Sequence, residues 1–138
     1  MKLREQLEYA AKACGITGWR SKHGYWNVEF PDGRKESACH DWTAFDAATG
    51  YKLPEPTFAN ALTELGFDPA NDQADSDRMA CDLEIAIRYY DDYVSANTRK
   101  VERIFTASVG HDNTIEGRRR AVREARMAVA VEIGKGMV

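Results

Sequence analysis

The stretch NTIEGRRRAVREARMAVAVEIGKG, residues 113–136, decides the fold class. Ile115, Val122, Ala125, Val129 and Ile133 recur at helical spacing, flanked by Ala121 and Ala128, so the segment reads as a long amphipathic helix from about Thr114 to Ile133. Asn113 and Glu116 form a start resembling a capping box, and Gly134 and Gly136 read as its stop. The apolar stripe needs a second layer to cover it, and the segment just upstream supplies one. Ile85 to Ser95 and Val101 to Phe105 are rich in β-branched and aromatic residues, which predicts a hairpin turning at Ala96-Asn97-Thr98-Arg99. Ile85, Ile87, Tyr89, Val101 and Phe105 then share one face, with Val94 and Ile104 on the other. Apolar residues on both faces imply cover on both.

Nearer the N-terminus, Leu3, Leu7, Ala10, Ala11 and Cys14 predict a short amphipathic helix closed by Gly15, with Ile16 folded back on its last turn. Trp26, Val28 and Phe30 then alternate with polar residues as a strand. Gly18-Trp19-Arg20 is its candidate partner, and Arg34 to Ala38 a third strand after the Pro31-Asp32-Gly33 turn. Residues 39–77 hold three of the four prolines. Within them Thr57 can cap a helix closed by Gly66, and Asp75 or Ser76 a second one. The order predicts a single α+β domain over 1–138, with a surface insertion at about 47–74. Its centre is a small, mostly antiparallel sheet, with the amphipathic N-terminal helix and the long C-terminal helix packed on it.

At 138 residues, with 43% hydrophobic and 30% charged residues, the chain has the composition of one ordinary globular domain. A net charge of −3 leaves no surplus of cations for phosphates, so no general nucleic-acid binding is expected. The N-terminus is charged where a signal peptide needs an apolar run, and no stretch reaches the ~20 apolar residues of a membrane span. Cys14, Cys39 and Cys81 form no CxxC pair and read as buried free thiols of a cytoplasmic protein.

Several pieces of the chain resemble small proteins of tailed phages and prophages described as phage ABA-sandwich domains. The opening Leu7-Glu-Tyr-Ala-Ala-Lys-Ala-Cys-Gly-Ile16 is similar to their "LAAKAAGI" start. Trp42, the stretch Asp75 to Ala80, the strand from Ile85, Arg119 to Val122 and Val131 to Met137 occupy corresponding places. The chain departs from that pattern where Trp-Asn-Pro becomes Trp42-Thr43-Ala44, where residues 47–71 look inserted, and where the last helix runs a turn longer. The resemblance implies a phage-encoded accessory protein working in the bacterial host cytoplasm. It carries over no functional residue.

Motifs for catalysis are lacking. His23, His40 and His111 stand at no metal-ligand spacing, and Cys39-His40-Asp41 are neighbours whose side chains do not converge. No GxSxG, Walker, GxGxxG or deaminase signature occurs, and no enzymatic activity, metal or cofactor is expected. Two surface features remain. Tyr89, Tyr90, Asp91, Asp92 and Tyr93 concentrate aromatic area and negative charge on one strand. They read as an ordinary half-buried strand or as a docking face for a basic host protein or complex. Arg118, Arg119 and Arg120 stand at a helix start, where guanidinium ions and backbone N–H groups favour phosphates. With Trp42 to stack a base, they suit a sponge for a nucleotide immune signal; read plainly, Arg119, Arg123 and Arg126 are a solvated face. The first reading, an anti-defence inhibitor acting by protein binding, is the leading expectation, and a homodimer is left open.

Overall fold

The computed structural model describes residues 1–21, 25–38, 57–99 and 105–137. It is an α+β fold of four helices and six strands in these residues. In chain order they are α1 (Leu3–Ala13), β1 (Thr17–Arg20), β2 (Trp26–Glu29), β3 (Lys35–Ser37), α2 (Phe58–Glu64), α3 (Gln73–Asp82), β4 (Ala86–Tyr89), β5 (Tyr93–Thr98), β6 (Phe105–Gly110) and α4 (Ile115–Gly136). The strands divide into two antiparallel sheets, β1-β2-β3 and β4-β5-β6, rather than one.

Local chemistry sets most boundaries where the sequence placed them. Gly15 ends α1 at φ 77°, and the Ile16 N–H reaches back 2.9 Å to the Ala11 carbonyl, leaving Ile16 buried. Thr57 caps α2 by accepting from the Asn60 N–H, and Gly66 closes it at φ 91°. Helix α3 begins earlier than Asp75 or Ser76, because Asp72 is its cap and accepts from the Asp75 N–H at 2.9 Å. Asp75 and Ser76 are buried instead.

The small sheet closes over α2. Trp26 and the α2 residue Phe58 stack with ring centroids 5.4 Å apart, and the Phe58 ring lies so close to Gly18 of β1 that any Cβ there would overlap it. Val28 is fully buried beneath. Helix α2 adds Ala59, Ala61 and Leu62 to the same core.

The second sheet departs from the expected hairpin. The chain turns at Tyr90-Asp91-Asp92, where the Tyr90 N–H donates to the Tyr93 carbonyl at 2.9 Å. Two adjacent aspartates interrupt the run of strand formers there. Ala96, Asn97 and Thr98, expected as the turn, instead lie inside β5, where all three pair with β6 and Ala96 and Asn97 pair with β4 as well. This register puts Val94 on the face of Ile87 and Ala96, not on the opposite one. That face is buried. The other carries Arg88, Ser95, Asn97, Thr106 and Ser108, with no layer over it among the described residues. Val101 and Ile104 lie outside those residues.

Helix α4 is central. Val122, Ala125, Val129 and Ile133 are buried as expected, and the helix packs on β5 and β6. A second buried set, Met127, Ala130, Val131 and Gly134, runs along another side, and α1 packs on the helix too. At the crossing Gly134 lies against the Tyr9 carbonyl, where an added Cβ would overlap backbone. Gly134 is therefore not a stop. The helix continues through Gly136, and the Lys12 ammonium of α1 donates to the Met137 carbonyl at 2.8 Å. Two expectations at the other end also change. Thr114, not Asn113, is the cap, and Ile115 is 71% exposed because the first turn projects past the sheet. Leu3 of α1 is likewise exposed. Among the described residues no helix is long and apolar enough to cross a membrane.

The two glycines of α4 give opposite expectations for one substitution. Gly-to-Ala in a helix normally stabilises by up to ~1 kcal/mol, and Gly136, with open space around its Cβ position, should follow that rule. Gly134→Ala should instead lower stability by about 1–3 kcal/mol, as overpacking does. Thermal melts of the two variants, compared with the parent chain, check the sign.

Candidate functional site

The β4–β5 turn and the β6–α4 loop meet at one end of the second sheet. The His111 N–H donates to the Asp92 carbonyl at 2.9 Å, tying the two segments together. Tyr90 and Tyr93 flank the turn, and their rings stack in parallel, centroids 4.3 Å apart and 5° between planes. They remain 40% and 37% exposed, and Tyr89 beside them is 64% exposed. Asp91 and Asp92 stand at the apex, also exposed. Among the described residues neither carboxylate has an ion-pair or hydrogen-bond partner. The turn thus brings Tyr90, Asp91, Asp92 and Tyr93 together where the sequence suggested a continuous strand, while Tyr89, paired with Val94, lies on the opposite face of the sheet from Tyr93.

The start of α4 is organised around its own carboxylate. Asp112 Oδ1 accepts from both the Thr114 N–H, at 3.1 Å, and the Thr114 hydroxyl, at 2.7 Å. Thr114 Oγ1 in turn accepts from the Gly117 N–H at 2.9 Å. These bonds to Thr114, aided by the Arg120 charge, hold the Asp112 carboxyl below the usual 3.8. Asn113 takes a left-handed conformation at φ 68°, and its side-chain oxygen accepts from Arg118 at 2.7 Å. Arg118 is therefore engaged at the surface by Asn113. Arg119 and Arg120 are exposed. The position a phosphate would take at this helix start is held by Asp112, which lies within overlap distance of a Cβ at Gly117. Trp42, Cys39 and His40 lie outside the described residues.

Arg123 and Arg126 do not form a solvated face with Arg119. Their side chains are 13% and 15% exposed, turned onto the segment that leads into α3 and onto α3 itself. Arg123 donates to the Ala70 carbonyl at 3.2 Å and to Gln73 Oε1 at 3.1 Å. Arg126 meets Asp77 at 2.6 Å and Ser76 Oγ at 3.3 Å. A buried guanidinium needs acceptors; the segment before α3 offers a carbonyl, and α3 an amide, a hydroxyl and a carboxylate. Periodicity in α4 alone does not show where those acceptors are; Gln73, Ser76 and Asp77, at i, i+3 and i+4 on one face of α3, were the available sign.

A cleft of about 800 Å³ opens between the end of α1, the β2–β3 turn and α3. Sequence reasoning missed it, since its lining comes from three distant segments. Asp75 lies in its wall, but its carboxylate is already taken by Arg78 and by the Asp68 N–H at 2.9 Å. That arrangement holds the α2–α3 connection in place and leaves no free base. Cys14 at the rim is half-buried, and Cys81, expected inside, is exposed. Among the described residues no three His, Cys, Asp or Glu side chains are placed to share a metal ion. Comparison with protein-family models, with curated proteins and with solved structures gives no match.

The Arg126–Asp77 contact carries a pH signature. The hydrogen bond from Arg126, outweighing partial desolvation, holds the Asp77 carboxyl below 3.8. A carboxyl titrating lower in the folded state adds stability above its unfolded value, and that stability is lost as pH falls through the folded value. Asp77→Asn should therefore cost up to about 1 kcal/mol at pH 7, a modest sum because Asp77 is half exposed. The difference from the parent chain should shrink as pH falls below the unfolded value of 3.8 and disappear once pH has passed the lower folded value. Denaturant midpoints measured across that range check it.

Proposed function

We propose that the chain is a non-enzymatic binding module whose docking surface is the Tyr89–Tyr93 turn, and that its partner presents a basic protein face. The observation that carries this reading is the exposed Tyr90–Tyr93 stack beside two carboxylates that have no cation partner among the described residues. Stacking fixes the two rings before contact, so little side-chain freedom is left to lose on binding. Unpaired Asp91 and Asp92 add steering toward positive charge. In the phage setting that the sequence resemblance implies, the partner is a host defence or regulatory complex and the module its inhibitor.

Capture of a nucleotide by Arg118, Arg119 and Arg120 draws support from the two exposed guanidinium groups at a helix start. It is the weaker reading, because Arg118 is spent on Asn113, the Gly117 N–H already donates to Thr114 Oγ1, and the Asp112 carboxylate stands beside them. The two readings separate in one comparison. Asp91→Lys with Asp92→Lys should slow association with the captured host partner by roughly tenfold or more, at an unchanged melting temperature. Replacing Arg118, Arg119 and Arg120 by Ala should leave binding and phage protection intact. Loss of function through the arginines alone overturns the docking reading.

A further inference from the structure

We infer that two copies of this chain associate edge to edge through β6, extending the β4-β5-β6 sheet across a two-fold axis with the two α4 helices side by side above it. This inference is independent of the partner proposed for the Tyr89–Tyr93 turn.

The argument begins with the sheet edges. An edge strand exposes unpaired N–H and C=O groups, and proteins guard such edges with charge, brevity, proline or a bulge. Among the described residues, three of the four sheet edges are guarded. β1 is four residues and ends in Arg20, β3 is the three residues Lys35-Glu36-Ser37, and β4 is four residues with Arg88. The fourth is not. β6, Phe105-Thr-Ala-Ser-Val-Gly110, is six residues long and holds no charge and no proline. All six residues pair in unbroken register with β5, so no bulge turns the strand away. Among the described residues no segment pairs with its outer side.

The helix above that edge completes the surface. Between its face on the sheet and its face on α1, α4 leaves a narrow exposed stripe. Glu124, Ala128 and Lys135 lie on it at four- and seven-residue intervals, next to a groove floored by Val129 and Val131 and bounded by Phe105, Thr106 and Ala107. A partner added in antiparallel fashion to β6 brings its own α4 alongside, also antiparallel. A two-fold axis then sets Glu124 of each helix opposite Lys135 of the other, with the small Ala128 near the centre, where it allows close approach. Glu124 has no cation partner among the described residues, and Lys135 reaches only the exposed Glu132 of its own chain at 3.4 Å. The occupant that satisfies a bare strand, a small-residue centre and opposite charges at the two ends is this same surface turned by 180°, which is the requirement for an isologous dimer.

The test uses the full chain and sedimentation or light scattering over a range of concentrations. The parent chain should reach twice its 15.5 kDa mass. Glu124→Lys and Lys135→Glu should each shift dimer dissociation to at least about tenfold higher concentration, since each sets like charges opposite one another. The double exchange, Glu124→Lys with Lys135→Glu, should restore the dimer. Thr106→Lys, on the solvent side of β6, should give a monomer whose circular dichroism matches the parent's, which separates edge blocking from unfolding. A parent chain that stays monomeric into the high-micromolar range overturns the inference. So does a dimer indifferent to Thr106→Lys, or a double exchange that fails to rescue.

Discussion

Everything in this fold is arranged around the crossing of the first and last helices, where Gly134 of α4 lies on the Tyr9 carbonyl of α1. A helix lying on a sheet buries one stripe; α4 buries two, because a residue without a Cβ lets a second helix approach on another side. Met127, Ala130 and Val131 extend that second contact. The sheet, α4 and α1 therefore stack as successive layers, and Leu7, Ala10 and Ala11 link them to Ile16 and Val28 of the small sheet. Ala10, Ala11, Ala130 and Gly134 are small and fully or nearly fully buried, so at this crossing the backbones approach closely and shape at single positions matters.

The remaining side of α4 is polar, and it also serves cohesion. Arg123 and Arg126 stretch across to α3 and convert a patch of buried positive charge into hydrogen bonds to four different acceptors. Among the described residues the Arg126 Nε has no partner, so the arrangement is specific without being fully satisfied. Buried arginines of this kind contribute little net stability, but they fix which segment docks where. Here they hold α3, and through Asp75 and Arg78 the connection from α2, against the central helix.

How much of this was legible follows from where each signal resides. Helices α1 and α2 were readable because their stop signals, Gly15 and Gly66, act locally. The sheet-facing stripe of α4 was readable from its spacing. Its second buried face was not, since Met127, Ala130, Val131 and Gly134 alternate with the first set, and together they make the helix look weakly amphipathic. The hairpin was misplaced because Ala96, Asn97 and Thr98 have turn-like composition, whereas Thr98 is buried and its hydroxyl donates to the Leu83 carbonyl at 2.7 Å. That bond joins residues fifteen apart and leaves no local trace. The surface at Tyr89 to Tyr93 was legible as composition; its geometry came from a turn that two adjacent aspartates make.

The joining of α1 to α4 has a kinetic side. The contacts of α1 with α4 join segments separated by most of the described chain, and α1 also packs on the nearer helix α2. Loop closure of that length is slow relative to local hairpin or helix formation. During synthesis, α1 can meet α2 first but must wait for α4 before the burial of Leu7, Ala10 and Ala11 is complete. Folding is then a late event that requires both ends of the domain at once, and the interval before it is the period in which the chain is most exposed to chaperones and proteases.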